Sequence, residues 1–228
     1  MYFIHFNDGA PTRVAPRGHL MTENEIIVGT PDAQTPVANG FATLGLAPEL
    51  LAAVADLGFT QPTPVQQQCI GRAMAQVGAE GRTYNDLMVS SQTGSGKTAA
   101  FLLPVLHTLL AQQAAAEQAE KKAYDDAIAR GETPPKRVRK NPLNPRTFKA
   151  ATPGALVLCP TRELAQQVAH DAIDLVKHCK GLRIANVVGG MPYQLQIAKL
   201  QNADLVVATP GRLLDLQRSS QIKLDKVQ

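Results

Sequence analysis

The chain has 228 residues, of which 44% are hydrophobic and 18% are charged, and its formal net charge is +4. This length and composition predict one folded domain and exclude a wholly disordered chain. The three cysteines have no CxxC spacing, which argues against a disulfide scaffold or a zinc cluster. The sequence shows neither a signal peptide nor a continuous apolar run of membrane-spanning length, so we expect a cytoplasmic protein without a membrane partner.

The positive charge is concentrated in residues 136–149, KRVRKNPLNPRTFK, which contain six Lys or Arg and no acidic residue. The rest of the chain carries 17 basic against 19 acidic side chains. The net charge is therefore weak evidence for a nucleic-acid surface. For the basic cluster itself, we favour a solvated loop over an RNA-binding segment.

Residues 1–40 are rich in Pro, Gly, Thr and Asn and show no hydrophobic periodicity, which predicts a flexible N-terminal tail. The domain proper is expected over residues 41–228. Two helices are predicted at its start, over 48–57 and 64–77. Each begins at a proline and ends at a glycine, the residues that favour those two positions.

Four short apolar runs follow, and each precedes a helical pattern. The predicted strands cover residues 86–90, 155–159, 183–188 and 204–208, and the predicted helices cover 97–111, 162–178, 193–200 and 211–218. The runs are rich in Val, Leu and Ile rather than alternating, as expected for strands that are covered on both faces. Repeated βα units predict an α/β fold with a mainly parallel, doubly wound sheet, whose ligands bind at the carboxyl ends of the strands.

Residues 112–150 interrupt this pattern as an insert. Their first part is rich in Ala and charged residues, which predicts an extended or additional helix. Their second part contains several prolines and the basic cluster, which predicts an exposed loop.

Residues 90–98, SSQTGSGKT, lie between a predicted strand and a predicted helix. Glycines let backbone N–H groups converge on a phosphate, and a helix N-terminus adds favourable partial charge. Lys97 would contact the β- and γ-phosphates of a nucleoside triphosphate, and Thr98 would ligate Mg²⁺. Ser91 stands where the general pattern of such loops has glycine. The predicted contacts of this loop are Ser91, Gln92, Thr93, Gly94, Ser95, Gly96, Lys97 and Thr98.

Four further motifs lie in order around this loop: GFTQPTPVQ at 58–66, PTRELAQQ at 160–167, VGG at 188–190 and TPGR at 209–212. In this combination the sequence resembles the first RecA-like domain of a DEAD-box ATP-dependent RNA helicase, over residues 41–228 apart from the insert. The residues of these motifs are most similar to those of the bacterial RhlE-like subgroup. The resemblance implies a RecA-like P-loop fold, ATP and Mg²⁺ as cofactors, RNA as a partner, and a second RecA-like domain in the parent protein.

The resemblance also implies that GFTQPTPVQ recognises the adenine base. Gln66 is the candidate reader, because a glutamine amide offers a donor and an acceptor that match the N6 and N7 edge of adenine. Phe41, Phe59 and Gln61 are further candidates near the nucleotide. For Phe59, simple core packing is an equal alternative.

The remaining motifs, by the same resemblance, contact the sugar–phosphate backbone of single-stranded RNA. Such contacts carry no base information, so binding is expected to be largely independent of sequence. The candidate residues are Pro160, Thr161, Arg162, Gly189, Gly190, Gln196, Thr209, Pro210, Gly211 and Arg212. For Arg162, a structural ion pair is the alternative.

The Asp-Glu-Ala-Asp tetrad that names the family does not occur in these 228 residues, and neither does its Ser-Ala-Thr motif. We therefore interpret the chain as a fragment of the first domain, truncated before its last strands. We expect it alone neither to hydrolyse ATP nor to unwind RNA. Two alternatives stay open: another P-loop ATPase, such as a DNA helicase or a transport ATPase, and a non-catalytic nucleotide- or RNA-binding module.

Overall fold

The structure is a computed structural model that describes residues 40–74, 87–131 and 150–227. The predicted tail up to residue 39 and the basic cluster at 136–149 lie outside the described residues. The same holds for residues 75–86, which include the end of the second predicted helix and the first residue of the first predicted strand.

Two α-helices precede the glycine loop in the part of the chain that the structure describes. A short 3-10 helix at Gly40–Leu44 leads into α1, Pro48–Asp56, and then α2, Pro64–Met74. Both α-helices begin at proline, whose fixed φ and missing N–H suit the first turn of a helix. Gly58 follows α1 with φ +76°, a conformation that favours glycine. Both predicted helices are thus confirmed, the second as far as residue 74.

The described sheet has three parallel strands. These are β1 at Ala155–Leu158, β2 at Ile184–Val187 and β3 at Leu205–Ala208, in the order β1-β3-β2. The carboxyl ends of all three strands are in register, because both Leu158 and Val187 pair with Ala208. The predicted parallel α/β fold is therefore confirmed, with β3 buried at every position.

Helices cover both faces of this sheet. The later helices are α4 at Arg162–Leu175, α5 at Tyr193–Leu200 and α6 at Pro210–Arg218, and each follows one strand. Leu205 and Val207 of β3 pack in one hydrophobic cluster with α1, α4 and the helix that follows the glycine loop. Val206 and Ala208 pack in a second cluster with α5 and α6. The alternation along β3 shows the doubly wound arrangement, since successive side chains of a strand point to opposite faces.

The predicted strand at 86–90 is wrong for its described part. Residues 87–90 form no strand, and the side chain of Met88 is 84% exposed. A strand requires a hydrogen-bonded neighbour, and none of β1, β2 and β3 pairs with this segment. The other three apolar runs do form strands, as predicted. Composition alone does not reveal whether a run has a strand with which to pair.

The helix after the glycine loop, α3, spans Lys97–Ala129. It runs well beyond the predicted end at residue 111, so the Ala-rich first part of the insert extends it, as expected. In length and composition α3 would suffice to cross a membrane, although polar residues interrupt its apolar sequence. Its early turns bury Leu102, Leu103 and Leu106 completely in the core, and this burial accounts for their apolar character.

Candidate functional site

The glycine loop folds around the ammonium group of Lys97. Lys97 Nζ donates hydrogen bonds to the carbonyl oxygens of Ser91 and Gln92, the latter at 2.5 Å. The hydroxyls of Ser91 and Ser95 lie 2.6 Å apart across the loop. Gly94 and Gly96 have φ values of +78° and +83°, in the left-handed region that glycine adopts without steric cost. The predicted loop residues are thus brought together as one compact turn.

The start of α3 offers a region of positive partial charge. Gly96 is its N-cap, makes no side-chain capping bond, and is followed by no acidic residue in the first turn. The first N–H groups of a helix have no intrahelical acceptor and carry partial positive charge. This end therefore fits a phosphate group. Thr98, half-buried in the first turn, adds a hydroxyl oxygen of the kind that Mg²⁺ accepts as a ligand.

Gln66 joins the GFTQPTPVQ motif to the glycine loop. Its side chain is only 4% exposed, its Oε1 accepts from Thr63 N at 2.9 Å, and its Nε2 donates to Gly96 O at 3.2 Å. Thr63 Oγ1 adds a hydrogen bond to Ser95 O at 2.9 Å. Both ends of the Gln66 amide therefore already bond within the protein. Adenine recognition by Gln66 stays a prediction, and a base would share the amide with Thr63 and Gly96.

The two candidate aromatic residues differ in burial. Phe41 is fully buried in the main hydrophobic cluster, whereas the side chain of Phe59 is 41% exposed. The ring of Phe41 presents no accessible surface, and its place near the nucleotide stays a prediction. The exposure of Phe59 argues against the core-packing alternative for that residue, because a core side chain is removed from solvent. Gln61 is exposed, and its side chain packs against Gly40.

The three predicted RNA motifs meet at one edge of the sheet. PTRELAQQ, VGG and TPGR follow β1, β2 and β3, whose last residues are in register. Two hydrogen bonds continue the ladder just past the strand ends, from Cys159 N to Ala208 O at 2.9 Å and from Thr209 N to Val187 O at 3.1 Å. Sequence-distant motifs thus share the carboxyl edge, as the parallel fold predicted.

Most of the candidate RNA residues are accessible at this edge. Nine of the ten are exposed or partly exposed: Pro160, Thr161, Arg162, Gly189, Gly190, Thr209, Pro210, Gly211 and Arg212. Thr161 has a structural duty as well, since its Oγ1 accepts from Leu164 N at 3.2 Å and caps α4. Thr209, the N-cap of α6, makes no such bond.

Gln196 is the exception, because the structure buries it away from this surface, and its contact with RNA stays a prediction. The residue is fully buried, and its Nε2 donates to Val188 O at 2.9 Å and to Met191 O at 3.1 Å. It therefore holds the glycine pair from beneath. Gln196 lies on the buried face of α5. The sequence alone does not show which face of this short helix packs against the sheet.

The two candidate arginines each lie against a residue from the segment after β2. A Cβ on Gly190 would lie 2.7 Å from Arg162 Nη1, so the absence of a side chain permits this close approach. Arg212 Cζ lies 5.7 Å from the centroid of the Tyr193 ring. Tyr193 was missed by the sequence analysis, because no motif includes it and its neighbour Arg212 is far along the chain.

Comparisons with known proteins agree with this geometry. A family model described as DEAD/DEAH box helicase matches residues 63–228. The chain is 36% identical over 190 residues to the ATP-dependent RNA helicase RhlB of Pseudomonas aeruginosa, covering 82% of this chain and 38% of that protein. It is 37% identical over 188 residues to the ATP-dependent RNA helicase DeaD of Escherichia coli, covering 82% of this chain and 23% of that protein.

A solved structure shows the same likeness. The crystal structure of a DEAD box protein from the hyperthermophile Methanococcus jannaschii aligns with a TM-score of 0.56 and 30% identity. The alignment covers 83% of this chain and 39% of that one. The chain therefore spans about two fifths or less of the length of these relatives.

Proposed function

The chain belongs to the DEAD/DEAH box helicase family, and from this premise we propose that it forms the ATP-binding and RNA-binding lobe of an ATP-dependent RNA helicase that locally unwinds short duplexes. One observation carries the proposal: a single α/β body holds two features suited to anions. The first is the glycine loop at the uncapped start of α3. The second is the sheet edge at which three motifs meet.

The nucleotide half of the proposal rests on the glycine loop and the motif bonded to it. Lys97 is proposed to contact the phosphates, Thr98 to ligate Mg²⁺, and Gln66 to contact adenine. The Lys97 ammonium now lies on the carbonyl oxygens of Ser91 and Gln92, so phosphate binding would exchange these neutral acceptors for charged ones, which form stronger bonds. Bound ATP supplies the phosphoryl group whose transfer to water drives the helicase cycle.

The RNA half rests on Arg162 and Arg212, supported by the exposed backbone and the helix starts at the sheet edge. Contacts of this kind recognise phosphates and sugars without base preference. A second RecA-like domain, a cytoplasmic location and membership of the RhlE-like subgroup remain parts of the proposal. The relatives named above are RhlB and DeaD proteins.

Nucleotide titration tests the first half. A fluorescent ATP analogue is expected to bind more tightly than the matching GTP analogue, and Lys97→Ala is expected to weaken binding by about tenfold or more, since a hydrogen bond to a charged group contributes roughly 1.5–3 kcal/mol. Lys121→Ala, on an exposed part of α3, is the matched control and is expected to bind normally. Equal affinity for GTP and ATP would favour another kind of P-loop protein.

The same material tests the expectation of inactivity. The Asp-Glu-Ala-Asp carboxylates are absent from these 228 residues, so we expect no RNA-stimulated ATP turnover above background. Turnover that Lys97→Ala abolishes would contradict this expectation. It would indicate that other carboxylates support ATP hydrolysis.

Binding of a labelled single-stranded oligouridylate tests the second half. Arg162→Gln and Arg212→Gln are each expected to weaken binding and to lower the slope of log affinity against log salt by about 0.7, the value for one phosphate contact on a single strand. Arg183→Gln is the control, because Arg183 precedes β2 at the opposite edge of the sheet. If all three variants bind as the wild type does, the RNA site lies elsewhere.

A further inference from the structure

The candidate RNA arginines lie in the first turns of two different helices, α4 and α6, yet both lie against the same short segment, residues 188–193. Arg162 approaches Gly190, and Arg212 lies over the ring of Tyr193. Gln196 holds this segment from beneath through the carbonyl oxygens of Val188 and Met191. The segment after β2 therefore supports side chains that follow β1 and β3.

Tyr193 is fixed by contacts with α6 as well as by its own helix. It is the first residue of α5, and its hydroxyl is hydrogen-bonded to Ser219 Oγ just after the end of α6. Ser219 Oγ in turn bonds to Asp215 O at 2.8 Å. Arg212, Asp215 and Ser219 are spaced so that they share one face of α6. The Tyr193 ring thus lies along that face of α6, with its hydroxyl bonded to Ser219 and its ring face against Arg212.

The stacked position suits an arginine that must bind phosphate. A guanidinium that lies over an aromatic ring is attracted by the ring face while its N–H groups stay in the guanidinium plane, free for an oxyanion. None of the ion pairs among the described residues includes Arg212. A held arginine also loses less side-chain entropy when a ligand binds, because its rotamer is already selected.

We propose that Tyr193 is a positioning residue, which holds the Arg212 guanidinium over its ring in the orientation that contacts an RNA phosphate. This inference rests on the proposed RNA-binding function. It adds a residue that no motif identifies, and it assigns the contact to the ring rather than to the hydroxyl.

The test is a double-mutant cycle on the whole chain, with binding of a labelled single-stranded oligouridylate as the readout. Tyr193→Leu is expected to weaken binding about three- to fivefold, the range of an exposed to partly buried cation–π contact. Tyr193→Phe keeps the ring and is expected to bind within about twofold of the wild type. In the Arg212→Gln background, Tyr193→Leu is expected to cause no further loss, since its effect passes through Arg212.

The salt dependence separates positioning from general damage. Tyr193→Leu is expected to lower the slope of log affinity against log salt toward that of Arg212→Gln, whereas a merely destabilised domain would keep its slope. Should Tyr193→Leu fail to fold in a thermal melt, Tyr193→Gln, with a polar side chain at this half-buried site, carries the same cycle.

Each contrary result has a distinct meaning. Equal losses from Tyr193→Leu in both backgrounds, or unchanged binding, would overturn the positioning role while leaving the RNA function in place. A loss with Tyr193→Phe equal to that with Tyr193→Leu would overturn the assignment to the ring. If Arg212→Gln itself binds normally, the proposed RNA contact of Arg212 fails, and the positioning role falls with it.

Discussion

At the scale of single residues, the contact between Gln66 and Gly96 determines how the glycine loop is held. The motif spacing predicted the loop, Lys97 and the helix that starts there, since these are consecutive in sequence. It did not predict that Gln66 is buried or that Phe41 lies in the core while Phe59 is exposed. Those outcomes depend on how segments thirty residues apart approach each other, and single-sequence patterns do not carry that information.

Gly96 and Gly94 form a matched pair for testing this contact. Both have φ near +80°, so alanine costs about 1–2 kcal/mol at either position from backbone strain. Only at Gly96 would the new Cβ meet Gln66, at 2.4 Å from Nε2, whereas the space at Gly94 is open. Gly96→Ala is expected to lower the free energy of unfolding by about 1–3 kcal/mol more than Gly94→Ala, measured by urea denaturation.

The Gln66→Ala background supplies the control for the glycine pair. Removing the Gln66 side chain is expected to bring the cost of Gly96→Ala close to that of Gly94→Ala, because the clashing atoms are gone. Equal costs for the two glycine variants in the wild-type background would show that Gln66 does not pack against the loop.

At the scale of elements, the strand and helix types were predictable wherever a packing partner exists. The apolar runs that became β1, β2 and β3 pair with one another, and their helices begin at Thr161, Pro192 and Thr209 as N-caps. The run at 87–90 has the same composition and forms no strand, because a strand is stabilised by its neighbour. The predicted extension of α3 into the insert is confirmed, since residues with high helix propensity continue past the buried part.

The two threonine N-caps are expected to differ in their contribution to stability. Thr161→Ala removes the bond to Leu164 N and is expected to lower the free energy of unfolding by about 1 kcal/mol. Thr209→Ala removes no capping bond and is expected to cost less than half of that. Thr161→Ser, which keeps the hydroxyl, is the control in the same denaturation series, and equal costs for the two alanine variants would contradict the assignment of the cap.

At the scale of the whole molecule, pH dependence follows from the contact between α3 and the start of α1. His107 Nδ1 accepts a hydrogen bond from Ala47 N at 3.1 Å, which requires an unprotonated ring nitrogen. Burial lowers the pKa of His107 below its usual 6.5. Below about pH 6.5 the unfolded chain therefore binds a proton at His107 more readily than the folded chain does. The free energy of unfolding falls as the pH drops through that value.

His107→Gln tests this origin, since a glutamine oxygen can accept from Ala47 N without titrating. The wild type is expected to be less stable near pH 5 than near pH 7.5, and the variant is expected to show a weaker dependence, measured by urea denaturation. Asp56 does not confound this range. Its pKa is lowered, chiefly by the hydrogen bond with His178, so its contribution is lost only below its usual 3.8. The same slope in both proteins would place the titrating group elsewhere.

The central strand of the sheet is also the last of the three in the sequence. A ribosome completes β1 at residue 158 and β3 at residue 208, and at about 5–20 residues per second the interval is roughly 3–10 s. β1 waits through this whole interval, and β2, completed at residue 187, waits through its last part. Until β3 is made, neither strand has the partner with which it pairs, and an unpaired strand edge can pair with another chain. Translation speed through this stretch therefore sets how long the first two strands lack the strand that joins them.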